Sequence, residues 1–219
     1  MKILKILGGT IISLVIILLI AAMIAPSENH VERSVMINAP GDAVRANVMS
    51  FEGMLKWSPW HDRDPDQEYS IENDGQVGAL YHWSGADSLV GEGTQTITSM
   101  SDNEVVTHLH FIRPWESDAD AVTSLEETEN GVKVTWSYSD HTPYPMNVMN
   151  LMFDLDEMLG PDFQEGMDRL KTLVEEEASS KTTFRDLEVK VEELSPRTYI
   201  GVMDTLSWEE LEAFFQGTF

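Results

Sequence analysis

Cysteine is absent from the 219 residues. Disulfides and thiolate metal sites are therefore excluded. Positive charge is scarce: 14 Lys and Arg stand against 38 Asp and Glu, for a formal net charge of −24. Only Lys2 and Lys5 of the basic residues precede Pro26, so the remainder is more acidic still. Such a body repels nucleic acid and anionic headgroups within a Debye length, and no basic patch interleaved with aromatics offsets this. The chain also lacks a G-x-S-x-G elbow, a P-loop and a dinucleotide fingerprint. Gly91-Glu92-Gly93 is followed by a strand pattern and reads as a turn or bulge.

What the chain does have is one long uncharged apolar run, Ile6 to Ala25, behind Lys2 and Lys5 and ended by Pro26. A helix of that length reaches roughly 30 Å, the thickness of a bilayer's hydrocarbon core. Residues 1–26 are therefore expected to be a single transmembrane anchor. The competing reading is a cleaved signal peptide, which needs a shorter apolar core and small residues at the cut. Ala21-Ala22-Met23-Ile24-Ala25 offers no good A-x-A pair. With lysines only on the N-terminal side, the N-terminus is expected in the cytoplasm and the main domain outside it. Gly8 and Gly9 are too close together for a G-x-x-x-G pairing face.

From about residue 30 to 177 the chain reads as one domain, long enough for a single core. Val31–Ile37 alternates as a strand, and two short helices follow over Asp42–Val48 and Phe51–Lys56. Six strand candidates come next: Glu68–Glu72, Leu80–Trp83, Thr94–Ser99, Glu104–Ile112, Ala119–Glu127 and Val132–Ser139. The breaks between them carry turn residues, as in Asn73-Asp74-Gly75 and Glu129-Asn130-Gly131, which suits an antiparallel meander. From Met146 to Glu177 the period becomes helical, with Met149, Met152, Phe153 and Leu159 on one stripe. Phe163, Met167, Leu170 and Val174 then repeat at helical spacing, and Gly160-Pro161 is expected to break the run. This order predicts an α+β fold in which a helix lies across a curved antiparallel sheet.

Alternation sorts the side chains. Val132, Val134, Trp136 and Tyr138 share one face, Tyr81 and Trp83 another, and Thr107, Leu109 and Phe111 a third. Ala119, Ala121 and Thr123 are small. Large rings opposite small residues outline a cavity, or else interdigitate into a filled core. Pattern alone leaves both open.

Several segments resemble a known family. The strand Val31–Ile37 running into Asn38-Ala39-Pro40 resembles the opening of the SRPBCC superfamily, in its polyketide cyclase/dehydrase and lipid-transport branch. Trp57-Ser58-Pro59-Trp60, Gly78–Gly85, Gly91-Glu92-Gly93 and the stretch from Leu155 to Phe163 resemble the same branch. The resemblance covers residues 30–177. It implies a helix-grip, START-like fold with a cavity between sheet and long helix, and hydrophobic-ligand binding more than any reaction. After a linker at 178–186, residues 187–219 resemble the start of a gyrase-inhibitor-like effector-binding domain. They are too few for that fold: a fragment is expected, the alternative being a tail that packs on the first domain.

The expected ligand-binding residues are the rings and small residues of the inner face. On the helices and first strands they are Trp57, Trp60, Tyr81, Trp83 and Ile97. On later strands they are Leu109, Phe111, Ala121, Thr123, Trp136 and Tyr138, and in the helical region Met149, Phe153 and Phe163. Apolar pockets lined by aromatics with a few hydroxyls are the common small-molecule site. Methionines from Met146 to Met167 suit an adaptable wall, or ordinary core filler. No catalytic residue, metal site or cofactor is expected. His108 and His110 share a strand face that reads as solvated, with no acidic third ligand identifiable. His61 and Asp62 form a possible acid–base pair at a pocket mouth, but solvated loop residues explain them as well. No inward-facing His, Asp or Glu is evident.

Three functions follow. The leading one is a membrane-anchored binder of a lipid or other hydrophobic small molecule. A cyclase or dehydratase acting on a polyketide-like substrate is the second. A ligand sensor coupled to the C-terminal effector-binding segment is the third. The expected partners are an apolar small molecule and the membrane, without nucleic acid.

Overall fold

A computed structural model describes residues 2–86 and 90–185. The apolar run forms helix α1 (Lys2–Ile24). Its stretch Ile6–Ile24 has a mean hydropathy of 2.8 and is almost wholly exposed, so it is long and apolar enough to cross a membrane. A signal sequence has the same character.

Seven strands make one antiparallel sheet: β1 (Glu28–Ile37), β2 (Glu68–Glu72), β3 (Leu80–Ser84), β4 (Glu92–Ser101), β5 (Glu104–Arg113), β6 (Ser117–Thr128) and β7 (Gly131–His141). Their spatial order is β1-β7-β6-β5-β4-β3-β2. Strands β2 to β7 are a meander, and the first strand returns to pair with the last, Val31 opposite Tyr138 and Ile37 opposite Val132. The register of β4 against β5 shifts between Glu92 and Gly93, so the Gly91–Gly93 segment is a bulge, as expected.

Helices α2 (Gly41–Val48), α3 (Phe51–Leu55) and α4 (Pro59–Arg63) lie between β1 and β2. The sequence reading anticipated α2 and α3 but not α4, whose signal is Pro59 at the first helical position. The N-terminus of α3 is capped twice. Ser50 Oγ accepts from Gly53 N at 3.1 Å, and the Asp74 carboxylate accepts from Phe51 N (2.8 Å) and Glu52 N (3.0 Å). The Asn73–Gly75 turn therefore closes the β2–β3 connection and also ties α3 to that end of the sheet.

Two corrections concern the C-terminal helical region. Met146–Leu151 is a short 3-10 helix rather than α-helix, so its side chains follow a three-residue period and leave the expected stripe. Helix α5 (Leu155–Arg185) then runs unbroken through Gly160-Pro161. Pro161 loses one backbone bond to the preceding turn, which the packing of a 31-residue helix absorbs. Gly160 is a notch and not a breaker. Arg33 of β1 lies over it and donates to both oxygens of Asp156 at 2.7 and 3.1 Å. The stretch read as a linker is helical as far as Arg185, since residues 178–185 contain neither Gly nor Pro. The effector-binding-like segment lies outside the described residues.

Phe163, Met167, Leu170 and Val174 of α5 are buried, as their spacing predicts. They pack with Ile37, Val44, Leu125, Val132 and Val134 into one core. A second cluster gathers Phe51, Ala79, Tyr81, Trp83, Ile97 and Val105. The domain is thus an α+β helix-grip fold whose sheet carries two separate apolar clusters.

Candidate functional site

The gap between those clusters is the site. Each cluster is walled by rings. On the α5 side, Trp136 stacks on Phe163 with centroids 4.0 Å apart. Trp57 and Trp60 meet Trp136 edge-on, at 5.0 and 5.6 Å. On the β3 side, Tyr81 stacks on Trp83 at 5.5 Å, and Trp83 meets Phe111 edge-on at 5.9 Å. Between the two walls the middle strands present Gln95 on β4 and the small Ala121 on β6. Neither reaches far enough to fill the space. What remains is a cavity of about 230 Å³.

Gly93 sets one wall. It lies opposite both Trp83 and Phe111 in register. A Cβ there would sit 2.6 Å from Trp83 Cζ2 and 2.7 Å from the carbonyl oxygen of His110. Only glycine lets the indole lie flat on the strand, and Trp83 Nε1 then donates to the carbonyl of Val90 at 3.0 Å. The opposite lip is α4, which carries Trp60 and His61. Two ion pairs fasten it to α5: Arg63 with Asp162, and Arg169 with Asp62 at 2.5 Å. The N-terminal part of α5 closes the cavity with Leu159 and Phe163.

Among the described residues, no Asp, Glu, Lys or Arg lines the cavity. Burial pushes the Tyr81 phenol up to about 12. Burial, with Asp140 nearby, also raises Tyr138. Both rings therefore stay neutral near pH 7. The polar groups are few and held. Gln95 Nε2 donates to Thr107 Oγ1 at 2.7 Å, the Tyr138 hydroxyl donates to Asp140 at 3.2 Å, and Gln67 Nε2 contacts His61 Nδ1 at 3.2 Å and donates to its carbonyl at 3.0 Å.

Of the expected ligand-binding residues, Trp60, Tyr81, Trp83, Leu109, Phe111 and Ala121 line the cavity, as do Trp136, Tyr138 and Phe163. Trp57, Ile97 and Thr123 do not. They border a separate void of about 20 Å³, further along the strands. Trp57 is a pin, fully buried and donating from Nε1 to the Asn47 carbonyl at 2.9 Å. Met149 and Phe153 also lie outside, exposed on the 3-10 helix and the connector after it.

The sequence reading missed Met54, Ser58, Gln67, Val90, Gln95 and Leu159. Gln95 shares its strand face with Ile97, and Leu159 stands one turn before Phe163, so alternation and helical spacing pointed to both. His61, considered for a pocket mouth, is half-buried and lines the cavity. Asp62 is not its acid–base partner, because that carboxylate is engaged by Arg169. His108 and His110 do face solvent, but with acidic neighbours across the strand: Asp120 at 2.9 Å from His108 and Asp118 at 2.8 Å from His110. Among the described residues, no group of three or more His, Asp and Glu is arranged to hold a metal.

The family model for polyketide cyclase/dehydrase and lipid transport matches residues 28–175. The chain belongs to that family. Its match begins with β1 and ends inside α5, so the cavity lies wholly within it. Among solved structures, the di-domain ARO/CYC StfQ of the steffimycin biosynthetic pathway is similar, with a TM-score of 0.53 and 10% identity over 70% of this chain and 52% of that one. A protein of Chromobacterium violaceum is similar at 15% identity and a TM-score of 0.46, over 67% and 97% of the two chains. At 10% identity the likeness to StfQ shows the fold alone. None of the curated proteins matches the chain.

Proposed function

We propose that this polyketide cyclase/lipid-transport family member binds a lipid or other hydrophobic small molecule in the cavity between sheet and α5, held at a membrane by α1. One observation carries the proposal: a chain of net charge −24 keeps a ring-lined hollow of about 230 Å³ in which no described lining residue is Asp, Glu, Lys or Arg. An apolar cavity of ~150 Å³ already binds benzene. This one takes a ring system or a short acyl segment, but not a whole phospholipid. The anchor with the N-terminus in the cytoplasm keeps the domain where such ligands concentrate.

The test is uptake of fatty acids by the full chain in nanodiscs, followed by quenching of its tryptophan emission. Saturable quenching supports the proposal. Ala121→Trp fills the space and should abolish it. Unchanged quenching in that variant would place the ligand elsewhere.

The second reading, a cyclase or dehydratase on a polyketide-like chain, gains from one observation. His61 is an imidazole at the wall of the cavity, with its ring contacted by Gln67. A held chain next to one acid–base group has the elements of proton-transfer catalysis. It predicts turnover of a linear poly-β-keto thioester that His61→Phe removes while leaving ligand uptake intact.

A further inference from the structure

The strand register places the cavity at one end of the sheet. Trp83 is one residue from the end of β3, Phe111 two from the end of β5, and Tyr138 three from the end of β7. At that same end β1 starts, with Glu28 opposite His141, and α1 finishes four residues earlier. The other end, with Ile37, Val132 and Leu125, is solid core.

The anchor's last turn is joined to the domain by side chains. Asn147 Nδ2 donates to the carbonyls of Ala22 (2.9 Å) and Ala25 (3.0 Å). Asn150 Nδ2 donates to Pro26 O at 3.0 Å. These bonds hold the 3-10 helix level with the end of the apolar run. Residues 142–153 carry no charged side chain. Yet Met146, Leu151, Met152 and Phe153 are exposed, Met152 to 74%. Met158, beside Leu159 of the cavity wall, is exposed as well, with Asp154, Asp156 and Glu157 between it and Phe153. On the same end of the sheet, in the β5–β6 turn, Trp115 is 73% exposed.

We infer that this collar seats in the interfacial zone of the bilayer beside the anchor and passes the apolar ligand directly between membrane and cavity. The inference rests on the proposed anchoring and cavity binding, and adds the surface and the route. Three observations select a bilayer as the occupant. The collar is pinned to the end of a helix of membrane-spanning length. Its residues are uncharged on a strongly acidic chain. An exposed tryptophan stands at the level where amphipathic rings gather at membrane interfaces. Glu116 and Asp118 beside Trp115 further favour zwitterionic over anionic headgroups.

The absence of cysteine makes single-site labelling clean. Met152→Cys, Trp115→Cys, Glu129→Cys and Leu14→Cys are each labelled with an environment-sensitive dye in full-length chain. The chains are reconstituted in phosphatidylcholine nanodiscs with lipids spin-labelled near the headgroup or at mid-chain. Labels at 152 and 115 should lose most of their emission to the headgroup-proximal quencher, 14 to the mid-chain quencher, and 129 to neither. If 152 and 115 behave like 129 while 14 is quenched, the collar inference is overturned and the anchor stands. If 14 is also unquenched, both fall. A second arm follows transfer of a pyrene-labelled fatty acid from donor nanodiscs. Met152→Asp with Trp115→Asp should slow transfer several-fold at unchanged final occupancy. An unchanged rate overturns the route, and no uptake by the unaltered chain overturns route and cavity binding together.

Discussion

Ala121 stands on β6 between Thr107 and Tyr138, at the floor of the cavity. A methyl group there leaves the two aromatic walls apart, so the size of one side chain decides whether the interior is hollow. Ala121→Trp should remove ligand uptake with stability altered by no more than about 1–3 kcal/mol in either direction, read by chemical denaturation. Gly93→Ala acts on the wall instead. Its Cβ would strike the Trp83 ring at 2.6 Å, so destabilisation of about 1–3 kcal/mol is expected with weakened uptake. On the outer face, a hydrogen bond from His108 to Asp120, helped by Asp118, holds the imidazole above its ordinary 6.5. The pairing therefore adds stability below that ordinary value and loses it as pH rises through the raised one. An NMR titration should show the His108 midpoint falling toward the ordinary value in Asp120→Asn, and an unmoved midpoint would sink this account. At this scale, alternation singled out seven of the cavity residues, while helical spacing added Phe163 and the aromatic run before β2 added Trp60. Neither pattern carries distances, so Ile97 and Thr123 were expected in the cavity although they lie along the same faces beyond its end, and Trp57 although it is a buried pin.

Among the elements, α4 is five residues long and cannot hold itself helical. Its place as the cavity lip depends on Arg63–Asp162 and Arg169–Asp62. These pairs are at least partly exposed, so each contributes roughly 0–1 kcal/mol. Replacing both arginines by alanine should leave Tm nearly unchanged and speed ligand release, checked by stopped-flow dissociation. Equal release rates would mean that packing of Trp60 alone sets the lip. The strands were legible because each has one buried face and a turn signal at its end. The α4 signal was hidden inside an aromatic run, and the 3-10 helix was read as α because its apolar residues also fit a helical stripe. Pro161 misled for the opposite reason: a local breaker is overruled when the turns on both sides are already packed against the sheet.

Across the whole molecule, one tie between α1 and the domain is Asn147. The residue is buried, 125 positions away from the Ala22 whose carbonyl it caps. Asn147→Ala leaves the Ala22 and Ala25 carbonyls without those donors, at a cost of about 1–3 kcal/mol to that junction. Spin-label distances between α1 and the sheet should broaden, while the melting of the sheet itself stays put. Narrow distances in the variant would show that the apolar contacts suffice. The sequence by itself determined the apolar segment, the antiparallel order of strands, the buried stripe of α5 and the family, because each is written in local periodicity, turn chemistry or motif. The tertiary structure alone decided that the rings stop short of one another, that His61 joins the cavity lining, and that the cavity sits at the end of the sheet where β1 follows α1. Those facts depend on register and on contacts between residues far apart in the chain, which no local pattern contains.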